Sequence, residues 1–282
     1  MIGGNQPNSE MSEEEIKEES IITVVGPKDQ FPKVTLMDPK QCGYVLLGLE
    51  VEHCVLPIGY MLGENAAKKR ILREIKAYPA QITSEDSTIQ NVAEVAVFKA
   101  MVISPGQGEF LKQRPDVPKA LFDVVVLIEF DSVKDARAYH GSEEFKKEIE
   151  KYENDNDVTR VMAIAGSNAR RMGPVGDVDH KKDGCFLFNY FYADNKEQNL
   201  KIWEYTAGWF GDQTGLDNST LILPEEDTDT TKCPHSVINH CRWNGLKNIL
   251  PALLFKRTFK TFVLANFEAN NTAPKPILYR LA

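Results

Sequence analysis

The sequence predicts an α+β fold made of two βαββαβ units in tandem, each a ferredoxin-like plait. Three observations carry this expectation. Apolar runs rich in β-branched and aromatic residues alternate with stretches of helical period, in the same order twice. Between the two runs lies SNARRMGPVGDVDHKKDG, with three glycines and no apolar period. The halves also overlay. Gly43-Tyr44-Val45-Leu46-Leu47 falls on Gly184-Cys185-Phe186-Leu187-Phe188, and Ile128-Glu129-Phe130 falls on Cys241-Arg242-Trp243.

Taken in order, residues 1–20 are polar and Glu-rich and read as a disordered tail. Residues 21–40 hold two apolar bursts broken by prolines and read as an extended arm on the body. GYVLLGLEVEH (43–53) is the first strand. In GENAAKKRILREIKAYPAQI, Ala67, Ile71, Ile75 and Tyr78 recur at helical spacing until Pro79 ends the pattern. NVAEVAVFKAMVI and FDVVVLIEF are the next strands. Ser132 then caps a helix, with Asp135 answering the free amides of its first turn. Ala136 and Tyr139 face inward, Gly141-Ser142 interrupts, and Phe145, Ile149 and Tyr152 resume the stripe. VTRVMAIAG (158–166) closes the unit. The second unit runs through the strand GCFLFNYFY and a helix capped by Asp194 or Asn195, with Leu200, Trp203, Ala207 and Phe210 inward. The strands STLILP and HSVINHCRW follow, then a helical stretch NGLKNILPALLF that Pro251 should break or kink, and the strand KTFVLANFE. The expected domains are a tail and arm (1–40), a first plait (41–166), a linker (167–183) and a second plait (184–282).

Composition narrows the function. The chain has 282 residues, 41 acidic against 33 Lys and Arg, and a net charge of -8. An acidic balance argues against a nucleic-acid partner. No apolar run approaches the roughly 18 residues a membrane span needs, and no membrane partner is expected. The five cysteines are scattered without a CxxC pair, which argues against structural zinc and points to a reducing, cytoplasmic setting. SPGQG (104–108) lacks a phosphate-binding pattern and reads as a loop.

VVVLIEFDSVKDARAYHGSEEF resembles the signature of a branch of the dimeric α+β barrel superfamily, the domain of unknown function 1330. There a strand ending Glu-Phe enters a helix reading Ser-x-x-x-Ala-x-x-Tyr, then Ser-x-Glu-Phe. Glu129, Phe130, Ser132, Ala136, Tyr139, Ser142, Glu144 and Phe145 hold those positions. The resemblance covers about 42–166, and the second half matches by pattern only. It implies that two plaits close an eight-stranded barrel, here within one chain, so that a monomer suffices. The superfamily includes cofactor-free monooxygenases, isomerases, haem-handling enzymes and members without known function. It implies a fold more strongly than a reaction.

The strand 236–243 is the most polar of the core-type strands. Alternation sends Ser236, Ile238, His240 and Arg242 to one face, taken as the barrel interior. Val237, Asn239, Cys241 and Trp243 go to the helix side. Asn239 is then a ligand-orienting amide or a satisfied buried one. His240 is a general acid-base, the one haem-ligand candidate, or a hydrogen-bonded interior imidazole. Arg242 can pair with Glu129 across the sheets. Trp203, Trp209 and Tyr190, with Asn239, are expected to line a pocket beneath the second-half helices, or to form an ordinary aromatic core. His53-Cys54 lies on adjacent strand positions and does not read as a dyad. His140 is expected in solvent. His235 and His240 are expected on opposite faces, with no shared metal. The function expected is that of a small-molecule enzyme, a cofactor-free oxygenase or isomerase acting on a hydrophobic or aromatic ligand. The alternative is a non-catalytic binding or structural barrel.

Overall fold

A computed structural model describes residues 21–51, 63–84, 87–104, 106, 108–226, 228–229 and 231–282. The expected His53-Cys54 neighbours lie outside the described residues. The strands are β1 Leu36–Met37, β2 Gly43–Glu50, β3 Val92–Ile103, β4 Val124–Phe130, β5 Arg160–Met172, β6 Cys185–Ala193, β7 Ser219–Pro224, β8 Val237–Trp243 and β9 Thr272–Leu281. The helices are α1 Ala66–Ile75, α2 Tyr78–Ile82, α3 Gly108–Lys112, α4 Val133–His140, α5 Glu143–Glu153, α6 Lys196–Thr214, α7 Leu246–Phe255 and α8 Ala265–Ala269. A π-helical turn, Phe259–Leu264, leads into α8, so the stretch KTFVLANFE, expected as the closing strand, is helical, and the strand that closes the second plait is β9. Among the described residues, no helix is long and apolar enough to cross a membrane.

Each half is a βαββαβ plait with its fourth, first, third and second strands side by side: β5-β2-β4-β3, then β9-β6-β8-β7. The halves join twice in antiparallel fashion, β3 to β9 and β5 to β7, and the sheet closes as an eight-stranded barrel. Closure removes the free edges that each plait alone would expose. The seam at β5 runs from Gly166↔Pro224 to Met172↔Ser219, so strand geometry continues six residues into the segment expected as linker. Apolar periodicity ends there because Asn168, Arg170 and Arg171 are paired by the backbone ladder of β7 and not by an apolar face.

Period-two alternation sorts the side chains into three spaces. Tyr44, Leu46, Phe98, Phe122, Phe186, Phe188, Tyr190, Ile238 and Tyr279 fill the barrel. Val45, Leu47, Ile71, Ile75, Phe130, Tyr139 and Phe145 pack under the first-half helices. Leu187, Phe191, Trp203, Trp209, Cys241, Trp243 and Phe267 pack under those of the second half. The ladders correct the overlay drawn from sequence. Gly43 pairs with Phe130 and Cys185 pairs with Trp243, so Gly43 corresponds to Cys185 and not to Gly184. A one-residue slip would turn every side chain of the strand to the opposite face.

Local signals account for the helix limits. Ser132 accepts a hydrogen bond from Asp135 N (3.1 Å), and Ser142 accepts one from Phe145 N (3.1 Å), which splits the expected long helix at Gly141. Asn195 caps α6 through Gln198 N (3.0 Å), and Gly215, in the left-handed region, ends it. Pro79 does not end a helix; it occupies the first turn of α2, where its missing N–H costs nothing. Pro251 lies inside α7, which continues to Phe255. Residues of the 21–40 segment contact α8 and its C-terminal end. Thr23 N and Val25 N donate to Asn270 and Asn266 side chains (both 2.8 Å). At the crossing of α6, a Cβ on Gly208 would fall 1.7 Å from the Pro32 carbonyl oxygen, so only glycine fits there.

Candidate functional site

The second half contains a chamber of about 350 Å³ between the sheet and its helices. Phe210, Trp243, Ile249, Leu253, Phe259, Val263 and Phe267 form much of its wall, and Leu278 and Pro276 belong to the sheet side. Its charged lining groups, Glu109, Lys112 and Glu268, are all exposed and therefore mark its mouth. The chain between β8 and β9 forms three short helical pieces, and residues of all three line the chamber together with α3 and Phe210 of α6.

On the sheet beneath it lies a short polar row. Asn189 of β6 and Asn239 of β8 are directly paired residues of the ladder. Both face the helices, and both are buried. The Asn239 carbonyl oxygen accepts from the Ser219 hydroxyl (2.5 Å). Asn189 lines the chamber, and its carbonyl oxygen is buried without a hydrogen-bond partner. A buried amide oxygen left unpaired costs about 1–3 kcal/mol, so its retention on an apolar floor points to a ligand donor. Asn239 borders a neighbouring space of about 20 Å³ shared with Asn189, Trp203, Phe210 and Trp243.

The structure thus brings Asn239 and Trp203 to the predicted side of the sheet, next to the chamber. Trp209 is also on that side, fully buried, with its indole N–H donating to Thr258 (3.0 Å); it serves the packing of α6 against the π-helical turn. Tyr190 is not in this space. Its phase matches Phe186 and Phe188, so it points into the barrel, where its hydroxyl meets that of Tyr279 (3.3 Å). Asn189 was missed, although one signal was present. It is the sole polar residue in CFLFNYFYA and shares the phase of Leu187 and Phe191.

His240 points into the barrel as expected, stacked on Phe188 with ring centroids 4.1 Å apart. Its Nδ1–H donates to the Leu187 carbonyl (2.9 Å), since a carbonyl can only accept. Its Nε2 is then an acceptor and receives the Nε2–H of His180 (2.8 Å). Nδ1 of His180 meets the Glu94 carboxylate at 2.9 Å. His180 thus bridges His240 and the Glu94 carboxylate. The hydrogen bond from His180 holds the Glu94 carboxyl below its usual range, against the effect of burial. Burial first, and the neighbouring His180 second, hold His240 well below the ordinary imidazole value. The chain of groups ends on a backbone carbonyl, which cannot pass a proton on. It pins His180 at a second cavity of about 360 Å³ at the barrel mouth, which Lys40, Tyr44 and Glu129 also line. Both nitrogens of His240 are engaged, so the residue does not fit a haem ligand. His180 was invisible in the sequence because it lies in an aperiodic connector.

Four other expectations need correction. Arg242 and Glu129 do not pair. Arg242 donates to the Lys182 (3.3 Å) and Asp183 carbonyls, and Glu129 is held by Lys40 (2.5 Å). Ser236 faces the helices, bonded by Asn199 of α6 (2.7 Å), and not the barrel. His235 shares the barrel interior with His240, because strand alternation begins only at Val237. His140 is half-buried, with Nε2 3.3 Å from the Ala163 carbonyl. Among the described residues, no group of three or more His, Cys, Asp or Glu could hold a metal ion.

His235 is caged by Tyr190, Tyr192 and Phe122, and neither ring nitrogen has a hydrogen-bond partner. Burial lowers its pKa to about 3. The unfolded chain takes up a proton below about pH 6.5 that the folded chain refuses until about pH 3, so stability is lost as pH falls through that window. His235→Phe is expected to be neutral or stabilising at pH 7. It should also flatten the acid decline by up to about 1.4 kcal/mol per pH unit. Denaturant titrations at several pH values check this; an unchanged slope contradicts it.

The fold and chamber define the class: an α+β barrel of two ferredoxin-like plaits. No protein-family model matches the chain, and no curated protein matches it in sequence. The resemblance of 42–166 to the 1330 family therefore rests on the quoted residues alone. Among solved structures the chain is similar to an anthrone oxidase-like protein, with TM-score 0.60 and 11% identity over 88% of this chain and 94% of that one. It also aligns with a provisionally named monooxygenase from Fusobacterium nucleatum (TM-score 0.47, 9% identity, 86% and 93% covered). A third is a ferredoxin-fold protein from Listeria monocytogenes related to antibiotic biosynthesis monooxygenases (TM-score 0.33, 12% identity, 70% and 99% covered). The first likeness shows the fold; at such identities none shows a reaction.

Proposed function

We propose that the protein is a small-molecule enzyme of the α+β barrel type, a cofactor-free oxygenase or isomerase. Its substrate, on this reading, is a hydrophobic or aromatic molecule with one polar handle, held in the second-half chamber. The unpaired Asn189 oxygen on an otherwise apolar floor carries the reading. That oxygen would accept from a ligand hydroxyl or N–H, while Asn239, its ladder partner, is held by Ser219 and borders the small neighbouring space. The Glu109 or Glu268 carboxylate at the chamber mouth would take the proton that a ligand loses on isomerisation or before reaction with dioxygen, while the Asn189 oxygen holds a ligand hydroxyl or N–H that stays protonated.

The second reading is a carrier. One observation favours it: the titratable side chains among the described residues of the chamber wall are the exposed Glu109, Lys112 and Glu268. A carrier needs no base on the floor. The four buried thiols, Cys42, Cys185, Cys233 and Cys241, support a cytoplasmic setting, and intrachain closure of the barrel supports a monomer.

Native purification, solvent extraction and mass spectrometry test the proposal. An apolar or aromatic compound should co-purify and be converted on aerobic incubation. Recovery of the compound unchanged overturns the enzyme and leaves the carrier. No retained compound, with no thermal shift from aromatic probes, overturns both.

A further inference from the structure

The helical roof of the chamber ends in an apolar tip on the outside of the molecule. Phe255 is 81% exposed and Leu254 is 60% exposed, the two most exposed large apolar side chains among the described residues. They end α7 and sit in sequence between Leu253 and Phe259, which line the chamber. On the same helix Ile249 and Ala252 face inward and are buried, so the tip is the outer side of a helix whose inner side is already used.

Charge follows directly. Lys256, Arg257 and Lys260 come next and are exposed, and Lys247 is exposed near the start of α7. From Thr230 to Phe267 the chain has no Asp or Glu but carries Lys232, Arg242, Lys247, Lys256, Arg257 and Lys260, although its net charge is -8. In sequence the stretch is bounded by Asp229 and Glu268. Asp212 adjoins Gln213, whose side-chain oxygen accepts from Lys256 (2.6 Å), and Glu268 lies on α8.

We propose that this tip docks on an anionic lipid bilayer, with Phe255 and Leu254 entering the interface and Lys256, Arg257 and Lys260 meeting the headgroups. A bilayer accepts a small protruding wedge with a basic rim. A stable protein interface needs about 800 Å² from each partner and a matching hollow, which two side chains at a helix end do not supply. A twofold contact with a second copy would set each basic cluster against its own image. Docking turns the roof of the chamber toward a reservoir of apolar molecules. It needs no membrane span, so the expectation of no membrane partner, drawn from the absence of a span, does not bear on it. It holds whether the chamber is catalytic or only a carrier.

Sedimentation of the full-length protein with vesicles tests this. Vesicles of phosphatidylcholine with about one-third phosphatidylserine should pellet it at low salt, and high salt should release it. Vesicles of phosphatidylcholine alone should bind it at least about tenfold more weakly. Phe255→Ser, and separately the triple change Lys256→Gln, Arg257→Gln and Lys260→Gln, should each weaken binding about tenfold or more while leaving the melting temperature unchanged. Failure of the anionic vesicles to pellet the protein overturns the proposal. So does pelleting that Phe255→Ser leaves intact. Light scattering that shows Phe255→Ser splitting a dimer assigns the tip to a second copy, and that also overturns it.

Discussion

Asn189→Leu is expected to weaken ligand binding by about tenfold to a hundredfold while making the protein more stable. The two effects have one origin. In the folded chain the Asn189 oxygen is buried without a partner, an arrangement that costs about 1–3 kcal/mol. Leucine of similar volume removes that cost, so the melting temperature should rise. A bound molecule that donates to Asn189 would instead lose its partner, and its own donor would be stranded on an apolar floor. Stability gained together with binding lost is the mark of a residue kept for function. Calorimetric titration with the co-purified ligand, beside a thermal melt, reads both. If binding is unchanged, Asn189 does not orient the ligand.

Lys68→Met should have the largest effect on stability. Lys68 of α1 is 1% exposed, and Asp123, at the start of β4, is fully buried. Their charged atoms lie 3.9 Å apart, and Asp123 also accepts from Val51 N (3.1 Å). Two charges removed from water cost several kcal/mol each, which their attraction offsets only while both remain. Removing the lysine takes a counter-charge away from the buried carboxylate, at a cost of about 3–5 kcal/mol. In a chain of this size that is a fall of about 10 °C in melting temperature. Adding Asp123→Asn should recover most of the loss, because asparagine keeps an acceptor for Val51 without a charge. Equal melting temperatures for the single and double variants would show that the pair is not what holds α1 to the sheet.

The fold was legible because period and order are local properties. Alternation placed Asn239 and Cys241 under the helices and Ile238 and His240 in the barrel. Ser132 announced one helix start, and Asp194 or Asn195 another. Where a prediction failed, local pattern had been carried past the end of an element. Tyr190 was grouped with Trp203 by aromaticity, although its phase along β6 sends it to the opposite face. Ser236 and His235 were read by alternation two residues before β8 begins.

The candidate site was legible only in part. Asn239 could be picked out as a polar residue at a helix-facing position of an apolar strand. Asn189, its ladder partner, could have been found by the same rule. Lys68 did not stand out in the sequence, since nothing local marks a lysine whose partner lies just before another strand. His180 could not be found, because it lies where no period exists and acquires its role from Glu94 and His240, which are 86 and 60 residues away. From the residues alone followed which faces of most strands are apolar and where α4 and α6 start, since each depends on neighbours in the chain. The chamber, the unpaired amide and the exposed tip were decided in three dimensions, because each depends on what distant segments leave uncovered when they pack.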